Sequence, residues 1–98
     1  MEQRELLFNE EGKSFVSETK VNSDYNLHIE MESGGTLEIY QRGSDEGKYR
    51  RSYIELKWGD VIDADFCHAV YPKYIKIVVS SKVTKATIRE AGSWNLLS

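Results

Sequence analysis

An all-β fold, a compact antiparallel β-sandwich of about eight strands with a jelly-roll-like winding, is what the sequence predicts. Three observations lead there. Apolar and polar residues alternate along most of the chain, most cleanly through Tyr25, Leu27, Ile29 and Met31, and a period of two sets such residues on one face of a strand. Turn-forming clusters recur at spacings near ten residues, as in sandwiches and barrels. A sustained helical period is missing. About eight short strands in 98 residues fit a jelly roll best, with an immunoglobulin-like sandwich second.

Taken in order, residues 5–9 form a short apolar strand around Leu6, Leu7 and Phe8. Residues 14–21 place Phe15 and Val21 on one side, and Glu18 and Lys20 on the other. Residues 24–32 alternate without a fault, opened by Asp24 and Asn26, whose short polar side chains can bond their own backbone and end the preceding turn. Residues 36–42 follow, then a polar tip bracketed by Gly43 and Gly47. Residues 49–58 turn Ile54, Leu56 and Trp58 inward, with Tyr49, Arg51, Tyr53, Glu55 and Lys57 outward. Gly59 and Asp60 make a turn. Residues 61–71 place Ile62, Ala64, Phe66 and Val70 on one face, and Asp63, Asp65 and Cys67 on the other. Pro72 has no amide hydrogen, so the chain steps out of the ladder there, and a cis Tyr71–Pro72 bond is the minority form. Residues 74–80 put Ile75, Ile77 and Val79 inward. Residues 83–91 shift phase between Val83 and the Ala86/Ile88 pair, which predicts a bulge. The expected core is Phe15, Leu27, Ile29, Leu37, Ile39, Ile54, Leu56, Trp58, Ile62, Phe66, Val70, Ile75, Ile77 and Ile88. Residues 1–91 make one sandwich domain, and 92–98 a short apolar tail.

The stretch MESGGTLEIY, residues 31–40, predicts a hairpin. A three-residue loop of Ser33, Gly34 and Gly35 pairs Met31 with Leu37 and Ile29 with Ile39, whereas a two-residue loop sets Met31 against Glu38. Only the first keeps apolar residues on one face. It asks for positive φ at Gly35, and it also sets Glu30 against Glu38, a like-charge pair that a cation from a neighbouring strand or subunit would have to relieve.

Composition narrows the function. The formal net charge is −3, and no basic stripe is available to neutralise phosphates, which argues against nucleic acid. The basic group Lys48, Arg50 and Arg51 is split between two faces by alternation. The lone Cys67 cannot form an intrachain disulfide, and a reducing cytosol is the simplest compartment for it. The first residues do not form a signal peptide of ordinary type, and no apolar run is long enough to span a membrane. No cofactor or metal motif is visible. Asp63 with Asp65, or Glu30 with Glu32 and Glu38, could hold a hard cation, but pairing with Lys57, Lys76 or Lys85 is the plainer account. His28 points outward, while His68 tends inward to a backbone partner. No serine sits in a nucleophile elbow, and an enzyme is not expected. Cys67 is expected in or just below the core.

Tyrosines carry the clearest binding signal. Tyr40, Tyr53 and Tyr74 alternate away from the core, and exposed rings serve a protein interface or a sugar-stacking surface. In the tail, Trp94, Leu96 and Leu97 place large apolar groups at a chain end. They are expected to dock on a neighbouring subunit, with folding back on their own sandwich as the alternative.

Two runs, VNSDYNLHIEMESGGTLEIYQRGSDEGKY and VIDADFCHAVYPKYIKIVVSSKVTKATIREA, give the sequence a further reading. Together they resemble small structural proteins of tailed bacteriophages that infect Bacteroidales, the crAss-like phages in particular, and similar sequences of gut Bacteroides. The resemblance rests on an SD-aromatic-NLHIE strand, an aromatic-QR strand and a D-aromatic-xxx-VYPK-aromatic-IKI block, and covers roughly residues 15–91. It implies a non-enzymatic virion protein: a capsid-attached head-fibre or decoration component assembled in the bacterial host cytoplasm. It also implies a homo-oligomer, with a homotrimer expected, which contacts other virion proteins and can meet a host-surface glycan. The alternative is a carbohydrate-binding sandwich module for a gut polysaccharide.

Overall fold

The computed structural model describes residues 2–44 and 46–91, with the side chains of Glu2, Ile54, Glu55 and Leu56 set aside. Its strands are β1 (Glu2–Glu5), β2 (Asn9–Glu11), β3 (Ser14–Val21), β4 (Tyr25–Met31), β5 (Gly35–Arg42), β6 (Arg50–Trp58), β7 (Val61–Phe66), β8 (Lys73–Val79) and β9 (Val83–Glu90). They form two antiparallel sheets, the first ordered β1-β9-β4-β7 and the second β2-β3-β8-β5-β6. Only β2–β3 and β5–β6 are hairpins; every other connection passes from one sheet to the other. With β2 set aside as an addition at one edge, two four-stranded sheets wound this way form a jelly roll.

The inward set is aliphatic and β-branched, as a half-buried pleated surface favours. Leu27, Ile29, Ile62 and Ile88 of the first sheet face Leu37, Ile39, Ile75, Ile77 and Val79 of the second, all fully buried. Each such side chain contributes about 1.5–3 kcal/mol. Phe15 and Trp58 are partly buried against this core, while Ile54 and Leu56 lie outside the described side chains. Tyr25 and Met31 also join the core. Val70 is 64% exposed, against expectation, because β7 stops at Phe66 and residues 67–72 form a loop. The Tyr71–Pro72 bond within that loop is cis.

Residues 5–9 are not one strand. Leu6, Leu7 and Phe8 cross between the sheets, Leu6 buried with its N–H donated to the Ala86 carbonyl at 3.0 Å. The bulge in the last strand is present. Glu30 pairs with Lys85 but Met31 with Val83, leaving Thr84 extra, and its hydroxyl donates to the Glu30 carbonyl at 3.1 Å.

The expected hairpin at residues 31–40 does not form. β4 and β5 belong to different sheets, and the N–H groups that would have paired across the turn are used elsewhere. Met31 donates to Asp60 O at 2.8 Å, Glu32 to Lys82 O at 2.9 Å and Ser33 to Ser81 Oγ at 3.2 Å. Glu30 and Glu38 therefore never meet. Gly35 does not have positive φ; among the described residues only Gly12 does, at 63°. Gly12 opens the two-residue turn of the β2–β3 hairpin, where a first central glycine suits a type II′ turn.

One ion pair ties the layers together at the interior end of β9. Glu90, 6% exposed, accepts from Arg4 Nη1 at 2.5 Å and from the Asn22 N–H at 2.6 Å. Arg4 Nη2 continues to Thr19 Oγ1 at 2.9 Å and Lys20 O at 2.7 Å, so β1 and β9 are laced to β3.

Candidate binding face

The outer face of the second sheet collects side chains from four strands through the strand registers. One cross-strand row runs Lys20, Tyr74, Arg42; the next runs Glu18, Lys76, Tyr40, Arg51; a third sets Val16 beside Val78 and Glu38. Aromatic and cationic positions thus fall next to one another. Lys20 Nζ lies 5.6 Å from the Tyr74 ring centre, and the Arg42 guanidinium 4.8 Å from the same ring on the other side strand. Tyr49, just before β6, adds a third ring. Arg42 reaches it at 4.9 Å and Lys76 at 5.0 Å, while Lys76 also lies 5.0 Å from Tyr40. Exposed cation–π contacts contribute about 0.5–1 kcal/mol each, which offsets part of the ~1.5–2 kcal/mol needed to order a lysine or arginine side chain.

The same face already holds a carboxylate. Glu38 Oε2 accepts from Tyr40 OH at 3.0 Å and from Arg51 Nη1 at 2.8 Å. Desolvation, followed by the Glu38 hydrogen bond and charge, raises the Tyr40 phenol above its ordinary pKa, and desolvation does the same for Tyr49. Both hydroxyls are donors across the physiological range. The surface can therefore offer cations held against rings to an incoming acid, while the Tyr40 hydroxyl is already engaged by Glu38. It is poorly suited to flat sugar stacking, because each ring carries a cation on its face.

Tyr40 and Tyr74 lie on this face as alternation predicts, but Tyr53 does not. The β5–β6 register shifts on both sides of Ile39, which pairs with Tyr53 while Tyr40 pairs with Arg51. Tyr53 consequently turns toward the core, its ring edge-on to Phe66 at 4.9 Å. Its hydroxyl donates to Cys67 O at 2.7 Å and accepts from Cys67 N at 3.0 Å. Tyr49, Arg42, Lys76 and Lys20 were not singled out from the sequence, since their proximity depends on which strands are neighbours. Trp94, Leu96 and Leu97 lie outside the described residues.

Tyr53 belongs to an aromatic cluster at one end of the sandwich. His68 sits in it with Nε2 2.9 Å from Tyr25 OH and Nδ1 3.2 Å from Ser52 Oγ, so its partners are side chains rather than the expected backbone group. Burial lowers the His68 pKa, Lys73 adds to the shift and Asp24 opposes it. A hydroxyl against an imidazole resembles part of a nucleophile–base pair. Here, however, the second ring nitrogen meets a phenol that burial keeps neutral, and the Asp24 carboxylate is occupied by Tyr71 OH at 2.7 Å. The group latches the β7–β8 loop onto β4 and β6. Cys67 in that loop is exposed rather than at or below the core surface, because it lies just past the end of β7.

On the outer face of the first sheet, Asn26 Nδ2 bridges Asp63 at 2.9 Å and Asp65 at 3.0 Å. Asn26 thus works across strands rather than on its own backbone, as does Asp24. His28 Nε2 contacts Glu30 Oε2 at 2.8 Å, which lowers the Glu30 pKa through that hydrogen bond. Among the described residues no group of three or more His, Cys, Asp or Glu is placed to hold a metal ion. No helix among them is long and apolar enough to cross a membrane. No protein family, curated protein or solved structure matches the chain.

Proposed function

We propose that the protein is a non-enzymatic structural component of a bacteriophage particle, a homo-oligomeric head-fibre or decoration module attached to the capsid. The observation that supports this most is the tyrosine–cation lattice on one outer face of a fully packed jelly roll. Tyrosine and arginine are enriched in protein interfaces, where they give rigid contact area at low entropic cost. Fold alone carries no function, since jelly rolls serve capsids, lectins and enzymes alike. The resemblance of the sequence to phage structural proteins directs the reading to a virion.

Sedimentation of the purified chain, paired with a glycan array, tests it. The assembly reading expects oligomers at micromolar concentration. A monomer that binds a polysaccharide through Tyr40, Tyr49 or Tyr74 would replace it with a carbohydrate-binding module.

A further inference from the structure

We infer that the outer face of the second sheet docks a second copy of this chain, receiving the acidic shoulder formed by β4 and β7 of that copy. The inference rests on the assembly reading above and names the two surfaces involved.

Charge is sorted between the two outer faces. Among the described side chains, the outer face of the second sheet carries Lys20, Arg42, Arg51, Lys57 and Lys76 against Glu11, Glu18 and Glu38. The outer face of the first carries Glu5, Glu30, Asp63 and Asp65 against Lys85 and Arg89. A chain of net charge −3 thus presents one face of cationic excess and one of acidic excess. Such surfaces steer each other into register and disfavour like-face contacts.

Both faces are also partly preorganised. Lys20 and Lys76 lie over tyrosine rings, but neither forms an ion pair among the described residues. Those contacts already restrict part of their rotamer freedom, so less entropy is lost when an acid arrives. Glu38 shows the mode of capture, held by a tyrosine hydroxyl and a guanidinium. On the other side, Asp63 and Asp65 are exposed on β7, which among the described residues has β4 as its one neighbouring strand. Asn26 fixes both carboxylates, so they too are presented in a set geometry. Unlike faces meeting in this way form a heterologous contact, which closes into a ring when the rotation between copies permits.

Charge reversal in two complementary variants tests this. Lys20→Glu with Lys76→Glu makes the docking face acidic, and Asp63→Lys with Asp65→Lys makes the shoulder basic. Each variant alone is expected to self-associate at least tenfold more weakly than the parent in sedimentation. An equimolar mixture is expected to recover mixed assemblies, because only unlike variants then present opposite charges. Raising salt from about 0.05 to 0.5 M should weaken the parent assembly, since screening shortens the reach of exposed charges. A parent that stays assembled when either face is reversed overturns the inference and leaves the assembly reading standing. So does a mixture that remains monomeric although each variant keeps its parental circular dichroism. A parent that is monomeric throughout overturns both. If the lysine variant loses its fold, Lys20→Glu with Lys57→Glu takes its place under the same criteria.

Discussion

Gly35→Ala tests the sheet-to-sheet crossing at residues 32–35 against the hairpin it replaces. A Cβ built on Gly35 would stand 2.3 Å from Ser80 Oγ, the atom that accepts the Thr36 N–H at 2.8 Å. To make room, Ser80 must rotate and abandon that bond, or the backbone must move. Overpacking of this kind costs about 1–3 kcal/mol, less about 0.4–1 kcal/mol from the reduced freedom of the unfolded chain. Ser80→Ala alone forfeits one solvent-accessible hydrogen bond, about 0.5–1 kcal/mol. In the double variant the added Cβ meets only the Ser81 and residue-80 Cβ atoms, at 3.5 and 3.6 Å, which is ordinary contact. The double variant should therefore be about 0.4–1 kcal/mol more stable than Ser80→Ala, a coupling of about 1–3 kcal/mol. Urea unfolding of the four proteins measures it. If positive φ were the reason for glycine here, the strain would persist without the hydroxyl. Additive costs would thus refute the crossing.

Other outcomes follow from the core, the buried ion pair and the histidine. Ile77, fully buried between Ser17 and Ile39 on the central strand β8, should cost about 2–5 kcal/mol when cut to Ala, read as a lowered urea midpoint. Glu90→Ala removes the buried carboxylate that accepts from Arg4 Nη1 and from the Asn22 N–H. It should cost about 2–4 kcal/mol and speed hydrogen exchange in β1 more than in β4. Burial lowers the folded-state pKa of His68, so below the usual histidine value of ~6.5 the unfolded chain binds more protons than the folded one. Stability should fall with pH through that window and level off once folded His68 is protonated. His68→Gln should remove this part of the slope in urea midpoints taken from about pH 7.5 to 5.

Alternation made most of the fold legible. It selected Leu27, Ile29, Leu37, Ile39, Ile75 and Ile77 as inward, and it located the bulge opposite Met31. It could not say whether two inward faces are neighbours in one sheet or opposed across a core. Ile29 and Ile39 satisfy either arrangement, and the local choice of a hairpin lost to hydrogen bonds donated to Asp60, Ser81 and Lys82, all distant in sequence. Tyr53 was misplaced for a related reason. The shifts around Ile39 reverse its phase, and no residue nearby signals them as glycine or proline would. Of the binding face, Tyr40 and Tyr74 could be found by counting along their strands. Their cations could not, because Arg42 meets Tyr74, and Lys76 meets Tyr40, only once β8 is known to lie beside β5.

Cryo-electron microscopy of particles purified from cells that express this chain tests most directly the proposal that it is built into a phage particle. The account expects density on the capsid surface that fits the two sheets β1-β9-β4-β7 and β2-β3-β8-β5-β6, in several copies, with the face of Tyr40, Tyr74 and Lys76 covered by a neighbour. A complete particle map in which every density is assigned to other chains would contradict it.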